Sequence, residues 1–497
     1  MTKDKNNEKI NYSDEYKIRT QKLEKIIKQG IEPYPAKCDK KFDLNQLIDD
    51  FNKLSDNKTK MSTAGRLRSL RLHGGSCFGN IQDGSGSLQV YFKKDVVGDK
   101  QYEFLNDCLD VGDIIEVQGT LFTTKKGEKT IQVNSFKLLS KALLPLPEKW
   151  HGLSDVEIRY RKRYLDLLAN DEVKNIFIKR SKILQFLRNY FIKNDFLEVD
   201  TPVLQAVASG AIAKPFKTHH QALNTDLYLR IAPELYLKEL VIGGFDRVFE
   251  IARCFRNEGI DYAHNPEFTQ IEFYWAYRDY TFLMGFMEQL LKDLVKEINS
   301  DLTVEYDNKK INFKPPYPRV DFREALLKET KIDLDKHDVK SLAKEATKLG
   351  LRPEKSWGKG KLADELYKKF VRPKMINPTF IINHPIELSP LAKKLPGRPG
   401  YVERFQLIVG GSIELMNAFS ELNDPLDQEE RFRFQQDLSK KGDLEAMGKD
   451  DEYVNALKHG LPPTAGLGMG IDRLVNVLTH THNIKEVILF PTLKPEK

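Results

Sequence analysis

From Phe268 to Trp275 the chain reads FTQIEFYW, and its residue types alternate with a period of two. A strand sends successive side chains to opposite faces. One face then carries Ile271, Phe273 and Trp275 and is a core face. The other carries Phe268, Gln270, Glu272 and Tyr274, a set too apolar for open water and too polar for a core. The pattern predicts the wall of a ligand pocket, with a partly exposed sheet face as the plainer alternative. The alternation returns at Asn417-Ala-Phe-Ser-Glu421, where Asn417, Phe419 and Glu421 share a face. In the preceding strand, CFRNEG, Arg256 and Glu258 are expected to share one. A carboxylate removed from water needs a cationic partner. Carboxylates, an arginine, an amide and aromatic rings on one concave sheet therefore suit a ligand with both a carboxylate and ammonium groups.

A second constraint lies in GLGMGIDR, residues 466–473. Its alternating glycines look like part of a dinucleotide fingerprint, but only 27 residues follow Gly470. That is too few for a βαβ unit of roughly 30 residues with its later ribose-binding acid. Glycine at every second position instead clears one strand face so that a flat ligand can lie on it. Arg473 then opens a helix, where it can meet a phosphate. No GxxxxGK[ST] occurs, so any nucleotide must be held without a P-loop. The strands LYLRI, RVFEIARCF, FTQIEFYWAY, RFQLIVGG and ELMNAFSEL interleave with helices but not in strict βαβ order. An α+β domain around an antiparallel sheet is expected over 146–497. It opens with a long helix at about 171–194, and a Lys-rich helical insertion is expected at 315–375.

Residues 61–140 read differently. The short runs GRLRSLRL, CFGNIQD and SLQVYF precede a helix, DKQYEFLNDCLD, and then DIIEVQGTL and TIQVNSFKL. Three strands, a helix and two strands are the order of a five-stranded OB barrel, expected over 61–145. Such barrels stack nucleic-acid bases on exposed aromatics. Phe78 and Tyr91 or Phe92 are candidates, each with core filling as its plainer reading. Before the barrel, residues 1–60 are expected to form a helical extension. Its helix over 13–30 is capped by Ser13 and stopped by Gly30. Lys17, Arg19, Lys22, Lys25 and Lys28 make it basic, as a solvated face or as a contact for phosphates. The proline-bearing LLPLPEKWHG, 143–152, reads as a linker.

Composition narrows the classes. Apolar residues make up 40% and charged residues 30%, a globular balance. No run approaches the ~18 uncharged apolar residues of a membrane span. A net charge of +7 suits a polyanion without requiring one. Cys38, Cys77, Cys108 and Cys254 are scattered, with no CxxC, which excludes a disulfide framework or zinc cluster as a first reading. The opening MTKDKNNEKINYSDEYK has no apolar leader segment, and the cytoplasm is the expected compartment.

Taken together the motifs resemble those of class II aminoacyl-tRNA synthetases, most closely the lysyl-tRNA synthetases of bacterial type. FLEVDTPVL (196–204) is similar to motif 1 with its proline, Pro202, at a dimer interface. FRNEGIDYAHNPEFTQIEFY (255–274) resembles motif 2 and GLGMGIDR motif 3. THHQALNTDLYLRIAPELYLKELVIGGFDRVFEIARCFRNEG and NAFSELNDP carry the lysine flavour, and the class I signatures HIGH and KMSKS are absent. The resemblance covers nearly the whole chain. It implies a homodimer that joins L-lysine to ATP, releases pyrophosphate and passes lysine to the 3′-end of lysine tRNA.

The resemblance also implies roles. Arg256 would bridge the α-phosphate and the lysine carboxylate, and Arg473 would lie over adenine and on the γ-phosphate; these two are the catalytic residues. Glu258 would sit beside the adenine amino group, His264 near the β- and γ-phosphates and Phe268 under the base. Glu421 and Tyr274 would take the ε-ammonium, Glu234 and the backbone of Gly210 the α-amino group, and Asn417 the carboxylate side. Glu272 matches a further acid of the lysine pocket. Magnesium would bridge the ATP phosphates with Glu414 as an acidic ligand. Here the chain departs from the family: Gln406 replaces a second acid, and VGGSIELMN is one residue longer. A bulge is expected there to turn Glu414 toward the site despite its parity with Asn417. In the barrel, Phe78, Gln89 and Glu128 match the residues that read the central anticodon uridine. Two alternatives remain. A paralogue that lysylates a protein resembles the catalytic domain alone, and an idle tRNA-binding protein would be damaged at Arg256, Glu258 or Arg473.

Overall fold

The computed structural model describes residues 13–146, 155–208, 210–211, 213–354, 356–440 and 448–495. The opening residues 1–12 and the 147–152 part of the expected linker lie outside them. The chain divides into two compact units, 1–154 and 155–497.

In the first unit five strands close into a barrel, because every second residue is apolar and turns inward. Cys77, Ile81, Leu88, Val90, Phe92, Val117 and Ile131 are buried at its centre. Met61–His73 pairs antiparallel with Ser76–Gln82 and with Ile114–Thr123, and Ser87–Lys93 pairs parallel with Lys129–Ser140. The helix Asp99–Cys108 stands between the third and fourth strands. At Gly119 a bulge brings the chains close: a Cβ there would lie 2.0 Å from the Gln132 carbonyl oxygen. The residues before the barrel are not a separate body. Ile26, Leu44, Leu47 and Phe51 join its core. Three of the basic residues of the helix Ser13–Lys28 are engaged with the barrel: Lys22 with Asp110, Lys25 with Asp107, and Arg19 with the carbonyls of Val111, Ala142 and Leu144.

The second unit is built on an eight-stranded sheet. Its spatial order is Arg319–Asp321, Thr379–Ile382, Arg404–Val409, Ile413–Ser420, Thr464–Gly470, Glu267–Ala276, Arg247–Phe255 and Leu197–Glu198. The pairs are antiparallel except at the two edges. One face is covered by the helices Asp171–Lys193, Tyr280–Asn299 and Ile471–Thr479. Their Ile183, Leu187, Phe191, Leu283, Leu290 and Leu474 pack on Phe249, Ile271, Phe273 and Leu467. The opposite face holds the site. The segment 315–375 is not helical throughout. Arg319–Asp321 joins the sheet, and the helices Phe322–Thr330, Val339–Lys348 and Lys359–Phe370 share a core with Ile381 and Ile408 of its strands.

Candidate active site

The strand Glu267–Ala276 lies between Arg247–Phe255 and Thr464–Gly470. Ile271 and Phe273 are fully buried beneath it, while Phe268, Gln270, Glu272 and Tyr274 line a cavity of about 210 Å³ above it. Across the cavity floor Glu272 and Asn417 flank Gly468, and Tyr274 and Phe419 flank Gly466. The glycines thus leave the floor bare between polar walls. Their reasons differ. A Cβ on Gly468 would make ordinary contact, 3.5 Å from Glu272 Cγ, whereas one on Gly466 would collide with the protein's own Glu421 and Tyr274.

At one end of the cavity stand the cations. Arg256 follows the strand Arg247–Phe255 rather than lying in it, so Arg256 and Glu258 belong to a loop and not to the strand expected for them. The Arg256 N–H bonds the Pro266 carbonyl at 2.8 Å, closing that loop. Its guanidinium lies 4.9 Å from the Phe268 ring centroid, and its Nε is buried without a hydrogen-bond partner. Asp472 and Arg473 divide the start of the helix Ile471–Thr479. Asp472 turns inward to accept from the Thr269 N–H at 2.8 Å and to pair with Arg180. Arg473 turns to the cavity, donating to the Glu414 carbonyl at 3.0 Å, with its Nη2 3.2 Å from His264 Nε2. Asp261 holds the other ring nitrogen of His264 at 2.9 Å. Glu258 and His264 are exposed at the cavity edge. Glu414 reaches the cavity because Leu407 pairs with Met416 but Ile408 with Glu414, which leaves Leu415 as the extra residue of a bulge. Gln406 pairs with Asn417 in register and is buried, outside the cavity lining.

At the other end stand the acids. Glu234 begins the helix Glu234–Ile242, and Gly210, at φ +89°, brings its backbone beside it. Glu272 Oε1 accepts from Gln270 at 2.5 Å, and its Oε2 has no partner among the described residues. Glu421 Oε1 is likewise buried and unpartnered. Burial raises Glu234, and raises Glu272 strongly with Glu234 and Glu250 adding repulsion. Burial pushes Glu421 up to about 8, against the pull of a nearby ammonium. That ammonium is Lys238, which the sequence reasoning missed: its Nζ lies 2.6 Å from Glu234 Oε1 and 2.5 Å from Glu421 Oε2. It sits four residues after Glu234, a spacing that in sequence reads as an ordinary surface pair. Arg404 was also missed. Its Nε donates to Asn417 Oδ1 at 2.7 Å, which leaves the Asn417 amide nitrogen as the donor for a ligand.

In the barrel the outward face of the second and third strands carries Phe78, Gln89 and Tyr91, while Phe92 fills the core. Phe78 and Tyr91 are cross-strand partners with stacked rings 4.5 Å apart. Thr130 Oγ1 lies 2.7 Å from Gln89 Oε1 and donates to the Glu128 backbone carbonyl at 3.1 Å, while Glu128 itself is exposed in the turn before the strand.

Comparison with known proteins gives the chain's family. Residues 155–494 match the model of class II tRNA synthetases (D, K and N), and residues 61–139 match that of the OB-fold nucleic-acid-binding domain. The lysine–tRNA ligase of Syntrophomonas wolfei subsp. wolfei is 46% identical over 488 residues, 98% of each chain. That of Campylobacter jejuni is 47% identical over 488 residues, covering 96% of this chain and 97% of the relative. That of Aquifex aeolicus is 50% identical over 439 residues, covering 88% of this chain and 73% of the relative. The chain belongs to the lysine–tRNA ligase family.

The site thus has arginines, Arg256 and Arg473, at one end and buried carboxylates at the other. A member selecting aspartate would need free cations among those carboxylates. Lys238 is a cation at that depth, but two carboxylates already hold it.

Proposed function

We propose that the chain activates L-lysine with ATP to lysyl-adenylate and pyrophosphate, then transfers the lysyl group to the 3′-end of lysine tRNA. The observation that carries this reading is the buried, unpartnered Glu272 Oε2 in a cavity that Arg256 and Arg473 also line, with the unpartnered Glu421 Oε1 beside Gly466 of its lining. Buried acceptors of that kind call for donors from a ligand. A lysine ε-ammonium supplies a compact set of three. Glu421 and Tyr274 take the ε-ammonium, with Glu272 as the further acid of that pocket. Glu234 and the Gly210 backbone take the α-amino group, and Asn417 and Arg256 take the carboxylate. A site built to bond such groups discriminates against analogues lacking them by about 10⁴–10⁵-fold.

ATP lies across the bare floor, with adenine between Phe268 and Arg473 and beside Glu258. His264 and Arg473 face the outer phosphates. The lysine carboxylate attacks the α-phosphorus, and pyrophosphate leaves. No enzyme group becomes covalently attached; Arg256 holds both reactants and meets the charge that builds on the α-phosphate. Magnesium is held commonly through one or two carboxylates together with phosphates. Glu414 lines the cavity, and no group of three or more His, Cys, Asp or Glu that could hold a metal occurs among the described residues. Glu414 would hold such an ion, which would supply neutralisation of phosphate charge. Gln406 contributes no charge to it.

Phe78 stacks on the central anticodon base, and Gln89 and Glu128 bond its edge, a mode suited to the unstacked bases of RNA loops. A second copy of the chain pairs along the motif 1 segment, where Leu197, Val203 and Leu204 are exposed. The proposed compartment is the cytoplasm; no helix among the described residues is long and apolar enough to cross a membrane. The decisive experiment is lysine-dependent ATP–pyrophosphate exchange followed by charging of lysine tRNA. Arg256→Ala is expected to lower exchange by about 10²–10³-fold or more. Exchange with aspartate but not lysine would overturn the assignment. Exchange without tRNA charging would favour a protein-lysylating paralogue.

A further inference from the structure

Lys238 is fully buried in the helix Glu234–Ile242, and its ammonium occupies a closed setting. Two of its contacts are the carboxylates of Glu234 and Glu421, at 2.6 and 2.5 Å. The aromatic rings of Tyr274, Phe419 and Tyr453 surround it, with centroids 5.4–5.9 Å away. A lysine is seldom fully buried unless paired. This one is paired with the two acids placed at opposite ends of the ligand in the proposed function.

We propose that Lys238 is a positioning residue for amino-acid selection: a resident ammonium that orients Glu234 and Glu421 and favours their ionised forms, so that a ligand ammonium meets the free Oε1 of Glu421. The proposal rests on the reading that the cavity takes lysine. Its physical basis is charge counting. Glu234 repels both Glu272 and Glu421, and like charges so placed favour protonation. A protonated Glu421 offers a ligand ammonium no charge partner. One fixed cation removes the repulsion but leaves the acids in excess, so the pocket stays attractive to a second cation. The rings bury the Lys238 ammonium, and Gly466 provides the space in which Glu421 and Tyr274 stand.

The groups facing the pair are Glu272 and Tyr274 from the central strand, Tyr453 from the helix Asp451–Leu457, and Arg404 from the neighbouring strand. None of these forms an ion pair with Glu421; among the described residues Lys238 does. Burial pushes Glu421 up to about 8 and Lys238 pulls it down. Lysine capture must therefore strengthen as pH rises through that range. Without the ammonium the same rise must occur at higher pH.

The test compares Lys238→Met, an apolar replacement of similar length, with Lys238→Gln, which keeps a donor without the charge. The KM for lysine and the KM for ATP are measured by pyrophosphate exchange from pH 6.5 to 9 on variants whose folding is verified by circular dichroism. In both variants the lysine KM is expected to rise at least tenfold at pH 7, with the ATP KM within twofold of the parent. The acid limb of kcat/KM for lysine should move up by one pH unit or more. A folded variant with an unchanged lysine KM and limb overturns the proposal. So does an equal rise in both KM values, which marks general loss of packing, or failure of both variants to fold, which assigns Lys238 to stability alone. If the parent protein shows no lysine-dependent exchange, the assigned reaction itself has failed.

Discussion

Gly466 is where two buried side chains leave no room for a third. A Cβ there would lie 2.2 Å from Glu421 Oε1 and 2.3 Å from Tyr274 Cε1, and neither can retreat, since Glu421 is tied to Lys238 and Tyr274 is buried. Gly466→Ala is expected to cost roughly 1–3 kcal/mol of stability through overpacking. It should also raise the lysine KM more than the ATP KM. Gly468→Ala is the contrast, because its Cβ meets nothing closer than 3.5 Å in the protein. It should leave the melting temperature within a degree or two and still lower exchange, because the ligand lies over that position. Thermal melts and exchange assays on the two variants check this; equal effects would mean that both glycines serve only packing. The spacing of glycines told that a strand face was bare. Which of them the protein itself required depended on side chains from other strands.

At the scale of elements, the helix Ser13–Lys28 shows how a charged face is read wrongly or rightly. In sequence its basic residues suited either water or phosphate. In the fold Arg19 is buried, with Nη1 at 3.1, 3.2 and 3.4 Å from the carbonyls of Val111, Ala142 and Leu144. The helix is therefore tied to the barrel by its cations. Arg19→Met should strand those carbonyls and destabilise the barrel unit by about 1–3 kcal/mol. Denaturant midpoints read the loss, and tRNA charging under mild conditions should stay near normal. Weaker tRNA binding at unchanged stability would instead return Arg19 to a phosphate contact. The bulge at Leu415 makes the complementary point. An extra residue in VGGSIELMN was visible in sequence, and strand parity then required a bulge for Glu414 to face the cavity.

For the whole molecule, the two units divide the chemistry. Every residue assigned to lysine or ATP lies within 155–497, and Phe78, Gln89 and Glu128 lie within 1–154. Phe78→Ala removes one base-stacking surface, worth roughly 1–3 kcal/mol. Charging of lysine tRNA should therefore fall through a higher KM for tRNA, while lysine-dependent exchange stays unchanged. An equal loss in both assays would refute this division of labour.

The sequence by itself determined the barrel, the antiparallel sheet and the strand-borne part of the cavity lining. These follow from local alternation: a period of two assigns each side chain of a strand to one face, whatever lies beyond. Phe268, Gln270, Glu272 and Tyr274 were legible for that reason, and so was the outward or inward choice at each barrel strand once one residue of it was placed. The resemblance added residues that periodicity could not single out, such as Glu128 in an exposed turn. Only the tertiary structure decided which charges meet. Lys238 pairs with Glu421 across 183 positions of sequence, and Arg404 orients Asn417 from the adjoining strand. A helix pattern reveals which neighbours a lysine has at four residues' distance, but burial and the approach of a distant strand determine whether its charge faces water or completes a pocket.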